Sequence, residues 1–121
     1  MQKRVLFILI CILSSCSQEP KIREVNIIPQ PQSLELSEGN FVFSNNTVWH
    51  FDTFFENELD YFKSLVELKN NGKSNLILAR VDTSLEQEEY YLDIGLDTLK
   101  ITASHPKGAM LAIQTVRQIS M

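Results

Sequence analysis

From residue 25 onward the period of the apolar positions changes several times, and each change marks an element. Residues 25–28 form a short β-rich run. Pro29 and Pro31 follow, and neither can donate a backbone hydrogen bond, so an extended segment is expected there. Residues 33–43 read as a hairpin. Leu34 and Leu36 alternate onto one face, Glu38-Gly39-Asn40 is a turn signal, and Phe41 to Phe43 continues as a strand. Asn45-Asn46 makes a second turn before a strand over 47–51.

Residues 54–70 then switch to helical spacing. Phe55, Leu59, Phe62, Val66 and Lys69 fall on one stripe with Leu65 beside them. Thr53 and Glu56 have the spacing of a capping box, and Asn70-Asn71-Gly72 is a stop signal. Residues 75–81 are almost continuously apolar, the pattern of a strand in the middle of a sheet. Tyr90, Leu92 and Ile94 alternate, and Leu99, Ile101 and Ala103 repeat the alternation across a turn at 95–97, so these two strands form a hairpin.

Pro106 fits the first turn of a last helix, with Ser104 or His105 as its cap. Ala109, Ala112, Ile113, Val116 and Ile119 form its expected buried stripe, and Gly108, Ala109 and Ala112 are small enough for close packing. The order of elements predicts an α+β fold, with a mostly antiparallel sheet and two helices packed on one face.

Composition adds limits. The chain has 121 residues, 44% hydrophobic and 21% charged, which is ordinary for one small folded domain. Eleven Lys and Arg against fifteen Asp and Glu give a net charge of −4. Without residues 1–15, which hold Lys3 and Arg4, the balance is nine against fifteen and the net charge is −6. Nucleic-acid binding needs clustered cations, and no such cluster occurs.

The first residues look like a leader. Lys3 and Arg4 precede the unbroken apolar run 5–13, then come Ser14, Ser15 and Cys16. This is the layout of a secretory signal peptide, and the run is shorter than the ~20 apolar residues of a spanning helix. Leu13-Ser14-Ser15-Cys16 resembles the bacterial lipobox, which implies cleavage before Cys16 and a diacylglycerol thioether on its thiol. Dual acylation holds a protein stably on a membrane. Residues 1–15 are thus expected to be the signal peptide and 16–24 a polar tether. The protein is then expected in the bacterial cell envelope, and Ser17 after the lipidated residue favours the outer membrane. Cys11 leaves with the peptide and Cys16 is blocked, so no thiol remains for a disulfide, a metal or nucleophilic chemistry.

Candidate chemistry is sparse. His50 and His105 lie at no metal-ligand spacing from other donors, and a packing role outweighs a catalytic one for both. There is no GxSxG, P-loop or GxGxxG motif. Glu56, Glu58, Asp60, Glu86, Glu88 and Glu89 are explained by solubility. Trp49, Tyr90 and Tyr91 have the apolar faces that stack on sugars, although core packing is the simpler reading. The Asn45-Asn46-Thr47 sequon is incidental in a bacterial lipoprotein. No cofactor or metal is expected.

Three segments resemble a known family. Residues 27–36, with Ile28-Pro29-Gln30-Pro31 at their centre, then Gly39 and Phe41, resemble the opening of the N-terminal domain of glycoside hydrolase family 20. Residues 89–94 and 99–103 are similar to the paired strands near the end of that domain. Residues 107–119 resemble its last helix, with Gly108, Gln114-Thr115 and Gln118 in place, Ala112 where a second glycine is usual and Val116 for Leu.

The resemblance implies that residues 25–121 are the non-catalytic leading domain of a β-N-acetylhexosaminidase, which removes terminal N-acetylhexosamine from glycans. In that family the substrate acetamide attacks the anomeric carbon, and an adjacent Asp-Glu pair in a following (β/α)8 barrel assists. This chain contains no Asp-Glu dipeptide and no room for a barrel, so it reads as a fragment with no catalytic residue. The implied partners are the barrel of the same polypeptide, a glycan reached through that barrel, and a membrane held through Cys16. Gln114 and Arg117 are the residues of the closing helix placed to reach the barrel, with solvated surface as the other reading of both. Two alternatives stay open: the leading domain of a family 84 or α-glucuronidase type glycosidase, and a free-standing lipoprotein that binds a glycan or a partner.

Overall fold

The computed structural model describes residues 25–120. The expected signal peptide (1–15) and the whole of the expected tether (16–24), with Cys16, lie outside that range. The elements are β1 (Thr47–Phe51), a 3-10 turn (Thr53–Phe55), α1 (Glu56–Leu65), β2 (Asn75–Val81), β3 (Tyr90–Ile94), β4 (Thr98–Ala103) and α2 (Pro106–Ser120). This is an α+β fold with a four-stranded sheet in the order β1-β2-β4-β3.

The sheet is mixed, not mostly antiparallel. β1 pairs parallel with β2, and β2 pairs parallel with β4; only β3 and β4 are antiparallel. β4 runs parallel to β2 because β3 takes the sheet edge and the chain turns back between β3 and β4; for β1 and β2 the cause is the crossover through α1. A helix between two neighbouring strands returns the chain to the end where it started, so the strands run the same way. The hairpin between β3 and β4 follows the expected register, with Leu92 opposite Ile101 and the turn closed by Gly95 N–H donating to the Thr98 carbonyl at 2.8 Å.

β2 is central, as its apolar run required. Ile77 and Ala79 are buried on one face and Leu78 on the other. Both helices cover the first of these faces. Phe55 and Phe62 come from the first helical segment, and Ala109, Ala112, Ile113 and Val116 from α2. They meet Ile77, Ala79, Leu99, Ile101 and Ala103 of the sheet in one core. Ile119 is the exception in the expected stripe. It lies in the last turn of α2, past Val116, and is 38% exposed.

α2 begins as proline chemistry dictates. Pro106 is its first residue, and His105 caps it: the Lys107 N–H donates to His105 Nδ1 at 3.2 Å. Ser104 turns away and donates to the Glu86 carbonyl. α1 starts differently from expectation. Asp52, not Thr53, caps the preceding 3-10 turn by accepting from the Phe54 N–H at 3.1 Å, and Phe55 makes no side-chain cap.

α1 also ends at Leu65, well before Asn70. Val66 is extended, and the chain leaves the helix to pair elsewhere. The Lys69 N–H donates to the Phe43 carbonyl and the Asn45 N–H to the Lys69 carbonyl, a parallel bridge that competes with helical bonding. Val66 still packs on the core, so the apolar spacing persisted after the helix stopped.

The expected strand at 25–28 and hairpin over 33–43 are absent from the described structure. Leu34 and Leu36 are 50% and 52% exposed, so their alternation finds no buried surface to hold a register. What holds this stretch is aromatic. Phe41 meets Phe43 edge-on at 5.3 Å, and Phe43 meets Phe62 at 6.0 Å.

Two substitutions in α2 test the packing. Ile113 is fully buried, and Ile113→Ala removes its apolar area and leaves a cavity, an expected loss of ~2–5 kcal/mol. Gly108→Ala sets two effects against each other. Alanine favours the helix by about 1 kcal/mol. A Cβ at this site, however, would lie 2.6 Å from the Glu89 carbonyl oxygen, a backbone atom that cannot swing aside. Overpacking of this kind costs roughly 1–3 kcal/mol, so the clash is expected to win and Gly108→Ala to lower the denaturant midpoint. An unchanged or raised midpoint in either variant would mean that α2 does not sit on this sheet.

Candidate functional site

Polar side chains around the open depressions of the described structure are tied to one another or to the backbone, as Lys73 is to Asp97 at 3.1 Å. Two open depressions exist: one lined by Asn40, Val42, Lys73, Asn75, Leu96 and Asp97, the other by residues of the 25–34 segment. In the first, Asn75 donates through Nδ2 to the Val42 carbonyl at 2.6 Å, while its buried Oδ1 has no partner. An amide that serves a neighbouring loop is a structural tie. The described residues also contain no group of three His, Cys, Asp or Glu that could hold a metal.

The residues with chemical potential have structural places. His105 is the cap of α2 and stacks edge-on with Phe54 at 6.3 Å. Trp49 packs edge-on against Phe62 at 5.3 Å, with the Lys63 ammonium 5.8 Å above its ring. Tyr90 is half-buried and its hydroxyl is 2.6 Å from Thr115 Oγ1. Glu56 and Asp60 are exposed, and Glu88 forms an exposed ion pair with Lys107. Asn45 donates to Asn70, Asn46 donates to the Gly72 carbonyl, and Thr47 accepts from the Ser44 N–H, so the sequon residues tie two loops together. His50 and Tyr91 are exposed on the sheet face opposite the helices.

The polar residues of α2 that are not exposed each find a partner in another part of the chain. Gln114 donates through Nε2 to the Tyr61 hydroxyl of α1 at 2.7 Å. Thr115, 7% exposed, meets Tyr90 of β3. Gln118 uses both ends of its carboxamide on Ile28. Its Oε1 accepts from the Ile28 N–H at 2.8 Å, and its Nε2 donates to the Ile28 carbonyl at 2.9 Å. Gly108 gives the close approach to Glu89 and Ala103. Four positions of one helix therefore reach four different parts of the chain.

Those positions belong to the segments whose resemblance was noted above, and a wider comparison agrees. The sequence profile of glycosyl hydrolase family 20, domain 2, matches residues 24–121. The chain belongs to that family. No curated protein matches it at a significant level. The match spans the sheet and both helices as one family 20 domain, and it makes the chain an accessory domain of a hexosaminidase-type glycoside hydrolase.

Within the family 20 domain, Gln114 has an internal partner, which sequence reasoning did not supply. Arg117 is exposed and forms no ion pair with the described residues. The role of Gln118 was missed altogether. Its spacing of four from Gln114 puts both on one side of α2, but nothing local points to Ile28, 90 residues earlier.

The internal bond raises the expected cost of Gln114→Ala from that of a surface change to about 0.5–1.5 kcal/mol. Gln118→Ala is expected to cost less overall, because the pair is exposed, but to speed hydrogen exchange of the Ile28 amide selectively. Unchanged exchange at Ile28 would contradict the clamp. A separate check concerns Asp82. The Ser84 hydroxyl donates to it at 2.6 Å and the Ser84 N–H at 3.0 Å, which hold its carboxyl below the ordinary value of 3.8. A folded value below the unfolded one favours the fold above the ordinary pH of titration, and that contribution disappears as pH falls through the lower folded value. Carbon NMR titration should find Asp82 depressed, and Ser84→Ala should return it toward 3.8.

Proposed function

We propose that this domain is the non-catalytic leading module of a lipid-anchored β-N-acetylhexosaminidase. The parent protein would hydrolyse terminal N-acetylhexosamine residues from glycans. The match to family 20, domain 2, over residues 24–121 carries this reading. In the mechanism that the resemblance implies, the substrate's acetamide oxygen attacks the anomeric carbon, an acid protonates the leaving oxygen, and a carboxylate orients the acetamide. Those two carboxyls are adjacent in sequence, and the 121 residues contain no Asp-Glu pair.

The module's part is then support. The outward side of α2 carries Met110, Leu111 and Arg117 beside Gln114. Half-buried apolar residues next to an unpaired guanidinium suit a domain interface, where a cation can find a carboxylate and apolar area can leave water. The proposed partner of that side is the catalytic barrel of the same polypeptide. The proposed anchor is a lipid on Cys16, supported by the leader sequence, with the outer membrane as its destination.

Two measurements test this reading. Residues 17–121 alone should hydrolyse no aryl N-acetylglucosaminide above background; turnover abolished by one point change in this segment would overturn the supporting role. Full-length protein should carry a diacylglycerol detectable by mass spectrometry and partition with membranes, and Cys16→Ala should lose both. A Cys16→Ala protein that keeps its lipid would disprove the anchor.

A further inference from the structure

The sheet has a second face, opposite the helices, on which only Leu78 is buried among the outward residues and which the proposed interdomain side does not use. Side chains alternate along a strand, so Ile77, Ala79, Leu99 and Ile101 point to the core and their neighbours point the other way. Register aligns the outward residues in rows. Tyr91 of β3 lies opposite Thr102 of β4, which lies opposite Arg80 of β2. In the next row, Asp93 lies opposite Lys100, Lys100 opposite Leu78, and Leu78 opposite His50.

Tyr91 is 60% exposed, and Arg80 is exposed although it sits on the central strand. Neither Arg80 nor Lys100 forms an ion pair with the described residues, not even Lys100 with the Asp93 beside it. Three strands at the usual spacing put the Tyr91 and Arg80 backbones about 10 Å apart, the scale of a disaccharide.

Charge distinguishes this face from the rest. Leaving out Lys3, Arg4, Lys21, Arg23, Glu19 and Glu24, residues 25–120 hold seven Lys and Arg against thirteen Asp and Glu. On the open face the balance reverses, with Arg80 and Lys100 against Asp93. We propose that this face binds an acidic glycan, a sugar chain bearing carboxylate or sulfate groups. Tyr91 would stack on a ring face, Arg80 would take an acidic group through paired N–H donors, and Lys100 would add a second cation. Choosing a glycan over other polyanions rests on the hexosaminidase reading.

Calorimetry on the full chain in detergent micelles tests this. The probes are a chondroitin sulfate hexasaccharide, a neutral N-acetylglucosamine hexamer and a single-stranded oligonucleotide. The sulfated hexasaccharide is expected to bind best. Arg80→Gln and Tyr91→Ala should each weaken it by about tenfold or more, the loss expected for one charge-assisted contact or one stacked ring. Both side chains are exposed, and circular dichroism verifies that the variants stay folded. Lys73→Ala, which removes a cation outside this face, should bind like the parent.

Absence of binding, or equal weakening by Lys73→Ala, overturns the site. A neutral hexamer bound as tightly overturns the charge argument, and preference for the oligonucleotide overturns the glycan. None of these outcomes depends on the aryl-glycoside assay or the lipid measurement, so failure here is distinct from failure of the parent reading.

Discussion

The closeness of α2 to the sheet is the constraint on which the rest depends. Gly108, Ala109 and Ala112 present almost no side chain, and a Cβ at Gly108 would meet both the Glu89 carbonyl and Ala103. A helix that lies so near the strands can bury Ile113 and Val116 in one core with Leu99, Ile101 and Phe62. With no disulfide expected, this packing is the main term that offsets the entropy of ordering a small domain.

Once α2 is seated, its polar residues have defined partners. Gln114 reaches Tyr61, Thr115 reaches Tyr90, and Gln118 reads the backbone of Ile28 as a neighbouring strand would. The last contact joins the two ends of the described chain. The segment around Ile28 is thereby registered against the end of α2 although it forms no strand of its own. The segment 107–119 that resembles family 20 thus has a physical content: its glutamines and threonine stand where they tie separate elements to one helix.

The two faces of the sheet divide the labour. One is closed by the helices and holds the core. The other carries the exposed ring of Tyr91 and the charges of Arg80, Lys100 and Asp93, with Leu78 buried among its strand positions. A single-layer sheet can present such a face because the core on its far side already provides its stability. The outward side of α2 is a third surface, with Arg117 at its edge. The proposed support of a catalytic barrel and the proposed contact with a glycan thus fall on different sides of the same small domain.

Local patterns determined a large part of this protein. The strands at 47–51, 75–81, 90–94 and 98–103, the helix after Pro106 and the central place of β2 follow from period, β-branching, proline and turn chemistry, which act over a few residues. The parallel pairing of β1 with β2 and of β2 with β4 was beyond such patterns, because alternation says which face a residue takes and not which strand lies beside it. The early end of α1 at Leu65 was settled by a bridge between Ser44 and Lys69, and the absence of a hairpin over 33–43 by the lack of a surface to bury Leu34 and Leu36. The partners of Gln114 and Gln118 belong to the same class. A hydrogen bond between residues 90 apart exists only after the core has brought them together, so no spacing along the chain announces it.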